Sequence, residues 1–104
     1  MSTVNVIHET AHYSEWFKRL RDIKGRARIA ARIESAKAGN FGVCKVLDNG
    51  VCEMKIDFGP GYRVYYAQEG LNVYLLLVGG DKSTQKQDIS KAREIWRVIK
   101  GERQ

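Results

Sequence analysis

The sequence predicts an α+β fold: a two-helix hairpin and a C-terminal helix packed on a mostly antiparallel sheet, in the order β-α-α-β-β-β-β-α. Three observations carry this. Apolar residues recur at helical spacing through residues 13–36 and again after residue 84. Between them the period changes to two, interrupted at Asp48-Asn49-Gly50 and at Gly59-Pro60-Gly61, and a nearly unbroken apolar run covers residues 73–78. With 104 residues, the chain supports one core, so residues 1–104 are predicted to form a single domain.

Residues 3–7 place Val4 and Val6 between polar neighbours, the pattern of a short first strand. Tyr13, Trp16, Phe17 and Leu20 follow at i, i+3, i+4, i+7 and define an amphipathic helix. Asp22 and Gly25 break that stripe, after which Ile29, Ile33 and Ala36 line a second helix ending at Gly39-Asn40, a pair suited to left-handed capping.

Strands at 43–47 and 51–58 flank Asp48-Asn49-Gly50. A three-residue loop sets Val46 opposite Cys52, Cys44 opposite Met54 and Lys45 opposite Glu53, which keeps apolar beside apolar. The Gly59-Pro60-Gly61 turn, closed by Phe58 and Tyr62, sets Ile56 opposite Val64 and Met54 opposite Tyr66. On the other face of this 51–67 hairpin, Asp57 meets Arg63 and Lys55 meets Tyr65, giving a charged platform expected to be open to a partner. The run at 73–78 reads as a strand covered on both faces and paired on both sides. Thr84 and Gln87 have capping-box spacing and open a helix lined by Ile89, Ala92, Ile95, Trp96 and Ile99.

Composition narrows the function. The chain is 43% hydrophobic and 29% charged, as in folded proteins, with a net charge of +6 that favours anionic partners. The longest apolar run is far shorter than a membrane span and the N-terminus has no signal-peptide pattern, so a cytoplasmic protein without membrane attachment is expected. Two cysteines without CxxC spacing predict reduced core thiols, not a disulfide or a zinc site. His8 and His12 are isolated, and Gly80-Asp81-Lys82-Ser83 lacks the glycines of a phosphate-binding P-loop; neither a metal nor a cofactor is predicted.

The remaining candidates are cations and one aromatic. Lys55, Arg63 and Lys82 could surround a phosphate, with Tyr65 stacking on a base. Lys45 extends the same strand face. Lys82, Ser83 and Thr84 precede a helix N-terminus, where free N–H groups favour a phosphate or simply a cap. The helical hairpin adds a basic face that includes Arg21 and Arg28, either solvated or a phosphate contact. RNA cleavage requires a deprotonated 2′-OH, charge support at phosphorus and a proton for the leaving 5′-oxygen, all of which clustered cations can assist without a metal. The plainer alternative is that Asp57–Arg63 and Lys45–Glu53 are surface ion pairs.

Several segments together resemble the RelE/ParE superfamily of bacterial toxins, in its HigB-like branch of addiction-module killer proteins. They are Trp16-Phe17-Lys18-Arg19-Leu20-Arg21-Asp22, Ala27-Arg28-Ile29 with Arg32-Ile33, Gly39-Asn40-Phe41-Gly42, the stretch from Glu53 through Gly59-Pro60-Gly61-Tyr62-Arg63-Val64-Tyr65-Tyr66, and Gly79-Gly80-Asp81-Lys82-Ser83-Thr84-Gln85. The resemblance implies a RelE-like fold and a type II toxin neutralised by a cognate antitoxin, usually a helix-turn-helix protein from the adjacent gene. It implies ribosome-dependent cleavage of mRNA by an endoribonuclease, with the basic positions mapping onto Lys55, Arg63 and Lys82. Relatives often carry a tyrosine or histidine near the C-terminus, which residues 96–104 lack. ParE-like members of the superfamily inhibit DNA gyrase instead, and a degenerate toxin would only bind its antitoxin, so both stand as alternatives.

Overall fold

A computed structural model describes residues 4–102. The elements are β1 (Val6–Glu9), α1 (Ala11–Arg19), α2 (Ile23–Lys37), β2 (Cys44–Val46), β3 (Val51–Ile56), β4 (Tyr62–Gly70), β5 (Val73–Gly80), a 3-10 turn (Lys82–Thr84) and α3 (Gln85–Glu102). The five strands form one sheet in the order β1-β5-β4-β3-β2, with β1 parallel to β5 and every other pair antiparallel. This is the predicted α+β arrangement of three helices on a mostly antiparallel sheet. Its first predicted strand begins at residue 3, outside the described residues.

The helices cover opposite faces. α1 and α2 bring Tyr13, Ile29, Ile33 and Ala36 against Met54, Ile56, Val64, Tyr66 and Leu76. α3 brings Ala92, Ile95 and Trp96 against Val51, Tyr65, Ala67, Leu75 and Leu77 on the reverse side. β5 supplies apolar residues to both layers, which is why its sequence does not alternate. It lies between β1 and β4, as its unbroken apolar run required.

The helix entries have clear causes. The Thr10 and Asp22 side chains cap α1 and α2, accepting from the backbone N–H of Tyr13 and Gly25. Gly25 is thus not a break but an interior residue of α2, and a Cβ there would lie 2.6 Å from Tyr62 Cε2. The Tyr62 hydroxyl donates to Asp22 Oδ2 at 2.7 Å, tying the helical hairpin to the start of β4. Arg32, on α2, donates to the carbonyls of Phe41, Val43 and Lys55 and holds the short edge strand β2 in place.

Four further expectations need correction. The loop at residues 48–50 and the β2–β3 register are as predicted, but the β3–β4 register is displaced by two residues. Ile56 pairs with Tyr62, Met54 with Val64, Lys55 with Arg63 and Glu53 with Tyr65. The turn spans residues 57–61, because Gly59 and Gly61 both adopt positive φ around Pro60 and Phe58 leaves the sheet to lie under the Arg28 guanidinium. A slip of two keeps every side chain on its predicted face, yet it removes the Asp57–Arg63 pair. The cap of the last helical segment is Asp81, not Thr84; the Thr84 hydroxyl bonds Asp88. Both cysteines are free, but Cys44 is exposed on the edge strand instead of buried.

The fourth correction matters most for function. The charged face of the 51–67 hairpin is not an open platform, because α3 packs across it. Tyr65 is fully buried at 0% exposure, while Arg63 and Glu53 each keep 6%.

Candidate functional site

The uncovered end of that face is the Gly59-Pro60-Gly61 turn, where β4 begins and the chain passes from β5 toward α3. Arg63 pairs across the sheet with Lys55 on one side and with Gly80 on the other. Its Nη1 donates to the Gly61 carbonyl at 2.6 Å. The backbone N–H of Lys82 donates to the Pro60 carbonyl at 3.4 Å, and the Lys82 Cβ lies 3.6 Å from where a Cβ on Gly61 would sit. Arg63 and Lys82 therefore meet at Gly61, and Lys55 stands opposite Arg63 on β3. Lys55 and Lys82 are exposed.

Two like charges opposite each other across strands repel, and Glu53 relieves this. Its carboxylate faces Arg63 Nε at 3.9 Å and accepts from the Gln85 amide at 2.9 Å. Sequence patterning missed Gln85 because it counted only charges and aromatics on the strands. Gln85 lies at the start of α3, where its amide reaches back across the sheet to Glu53. Below it, the buried Tyr65 hydroxyl lies near the Glu53 carboxylate but forms no well-aligned hydrogen bond. Burial first, then the nearby carboxylates of Glu53 and Asp88, hold its pKa far above the ordinary tyrosine value. Tyr65 is therefore a neutral core residue and cannot stack on a base. Asp88 is also raised, by burial and then by Asp81, against the lowering effect of the Thr84 hydroxyl bond.

The other predicted contacts divide. The Ser83 backbone N–H and hydroxyl both go to Asp81 Oδ1, at 2.8 and 2.6 Å, and the Thr84 hydroxyl goes to Asp88. The protein's own carboxylates thus occupy the anion position at this helix entry: Asp81 is the cap, and Ser83 and Thr84 spend their donors on Asp81 and Asp88. Arg28 lies over the Phe58 ring, 4.8 Å from its centroid, on the helical-hairpin side of the same turn. Arg21 is exposed in the connection before Asp22, whose carboxylate lies 3.7 Å from where a Gly59 Cβ would sit. Lys45 is exposed on β2 opposite Glu53, one strand farther from Arg63. The turn at residues 57–61 is thus approached by Lys82 and Arg63 from the α3 side and by Arg28 from the other, while Lys45 stands apart.

The surroundings set what these groups can do. Asp22 is held below its ordinary carboxyl range, chiefly by the Tyr62 hydroxyl and then by the Gly25 N–H. Tyr62 is pushed up to about 12 by burial and by Asp22. Both keep their neutral-pH charge states, so the turn's anchor is ionically fixed while the cations around it remain available for an anionic ligand. The arrangement can hold a phosphate. Among the described residues, no histidine is placed in it.

No family model matches the chain, and no solved structure matches it. An uncharacterised protein of Haemophilus influenzae is 41% identical to it over 87 residues, spanning 84% of this chain and 88% of that protein. Identity at that level across most of both chains is homology, and this chain belongs to one family with that Haemophilus influenzae protein.

Proposed function

We propose that this chain is the toxin of a type II toxin-antitoxin pair, of the RelE/ParE superfamily and its HigB-like branch, and that it acts in the cytoplasm as a ribosome-dependent endoribonuclease on mRNA. The observation that carries the reading is the meeting of Arg63 and Lys82 at Gly61 with Lys55 opposite, inside the Gly59-Pro60-Gly61-Tyr62-Arg63 motif on which the resemblance rests. The net charge of +6 agrees with a polyanionic partner. Among the described residues no helix is long and apolar enough to cross a membrane.

In this reading the RNA phosphate rests against the turn, held by Lys82, Lys55 and the exposed margin of Arg63. The 2′-oxygen loses its proton and attacks the adjacent phosphorus. A 2′,3′-cyclic phosphate forms, and the 5′-oxygen leaves with a proton. The charge that grows on the phosphoryl oxygens is what the cations stabilise. Lys55 acts as base or as electrostatic partner, and the preorganised Arg63 supports the transition state. The antitoxin, a helix-turn-helix protein from the neighbouring gene, would neutralise the toxin in a heteromeric complex.

The test is induced expression followed by primer extension on cellular mRNA. New 5′ ends with arrested translation support the reading, and growth arrest with intact transcripts rejects it. One observation favours a second reading, a binder without nuclease activity: Arg63 is buried beside a counter-charge, Glu53, instead of standing free. Such a protein would inhibit DNA gyrase or only bind its antitoxin. A supercoiling assay with purified protein separates these outcomes.

A further inference from the structure

Between β3, β4 and the first turn of α3, one carboxylate oxygen is contested by two donors. Glu53 and Arg63 are each 6% exposed, so each ion depends on what it touches inside the protein. Their closest approach, Nε to Oε2, is 3.9 Å, well beyond the roughly 2.7–2.9 Å of a charge-assisted hydrogen bond. That same Oε2 accepts from Gln85 Nε2 at 2.9 Å. Arg63 Nε is left buried with no hydrogen-bond partner, an expensive state for a charged donor. The guanidinium is directed elsewhere: Nη1 donates to Gly61 at 2.6 Å.

An orphaned Arg63 Nε next to a carboxylate is explained if something holds the carboxylate back. Gln85 is the group in contact with that oxygen. We infer that Gln85 is a positioning residue: by holding Glu53 Oε2 it prevents Glu53 from drawing Arg63 back along β3, and so keeps the guanidinium at the Gly59–Gly61 turn. Glu53 then provides a buried counter-charge and takes no proton from a substrate. The inference rests on the proposed role of Arg63 in phosphate contact, and it adds a device that sets the reach of that arginine from the opposite layer of the fold.

The direct measurement is the Arg63 Nε–Hε resonance in ¹⁵N-edited NMR spectra of the full chain, assigned by its loss in Arg63→Lys. In Gln85→Leu, which fills the space without a donor, this resonance should move downfield as Nε–H engages the released Glu53, while Lys86→Ala leaves it in place. An unmoved resonance in folded Gln85→Leu would overturn the inference. Gln85→Asn supplies a second reading should the leucine variant not fold: its amide stays polar but is one methylene too short to hold Glu53 Oε2, so the Arg63 resonance should again move downfield, and an unmoved resonance would count against the proposal. Affinity for a short single-stranded RNA, by fluorescence anisotropy, should fall about tenfold in Gln85→Leu, the effect of losing one charge-assisted contact. Failure of the wild-type chain to bind RNA would reject the phosphate-contact reading, and the NMR result would still decide how Arg63 is held.

Discussion

Replacing Gly25 by alanine gives the sharpest test of how the turn is anchored, because two effects of opposite sign meet there. Inside an α-helix alanine is normally better than glycine by about 1 kcal/mol. At position 25 the new Cβ would lie 2.6 Å from Tyr62 Cε2 and 2.7 Å from Asp22 Oδ2, both closer than real Cβ atoms approach. Tyr62 is 4% exposed and packs edge-on against Trp16, so its ring has little room to retreat. Overpacking of a filled core costs about 1–3 kcal/mol, and this site belongs at the upper end because the shift also separates the Tyr62 hydroxyl from Asp22. Subtracting the helix gain leaves a net loss of about 2 kcal/mol. In urea, that lowers the unfolding midpoint by about 1 M at unchanged slope. Gly101, in the last turn of α3 with open space around its Cβ position, is the internal control: Gly101→Ala should raise stability by under about 1 kcal/mol. A Gly25→Ala variant as stable as wild type, or more so, would refute the claim that the α2–Tyr62 contact is tight.

The other predictions concern the buried charges and the exposed ones. Arg63→Ala leaves the Glu53 carboxylate buried without its counter-ion, with Gln85 as the remaining partner, and should cost about 3 kcal/mol in a denaturation series; Arg63→Lys is therefore the better variant for functional work. Tyr65→Phe removes a buried hydroxyl that lies beside the Glu53 carboxylate without a well-formed hydrogen bond, so stability should change by less than about 1 kcal/mol and RNA affinity should not change; weakened RNA binding would show that the residue is reached after all. Because Asp22 has its carboxyl held below the ordinary 3.8, the unfolded chain takes up its proton first on acidification. The stabilisation from the Asp22–Tyr62 link is thus complete above that value and is lost as pH falls through and below it. In Tyr62→Phe the acid limb of a stability-against-pH curve should be shallower. Lys55→Ala and Lys82→Ala should leave the melting temperature unchanged but each lower the slope of log affinity against log salt for single-stranded RNA by about 0.7.

Much of the fold was legible in the residues because local spacing decides it. The stripe of Ile29, Ile33 and Ala36, the unbroken run in β5 and the Asp48-Asn49-Gly50 loop each leave one workable arrangement. The turn at residues 57–61 was harder, since a three-residue and a five-residue loop preserve the same side-chain faces, and the choice depends on Phe58 finding Arg28 from α2. Face patterning placed Lys55, Arg63 and Tyr65 on one face, but it could not tell that α3 would cover Arg63 and Tyr65 and leave Lys55 exposed. The apolar stripe of α3 shows that this helix must dock, not where it docks. Coverage turns Tyr65 from a ligand contact into core, and gives Arg63 the buried partner Glu53. The role of Asp81 as cap was hidden for a different reason: Thr84 and Gln87 satisfy the same spacing rule, and only the path of the chain out of β5 decides between them.

The claim at the centre is that the cations at the Gly59-Pro60-Gly61 turn act on RNA. Primer extension on mRNA from cells expressing the wild-type chain, Lys82→Ala or Arg63→Lys, at matched protein levels, tests it most directly. Discrete new 5′ ends with the wild-type chain, greatly reduced in both variants, are the expected result. Intact transcripts with the wild-type chain, or equal cleavage by all three proteins, would contradict it.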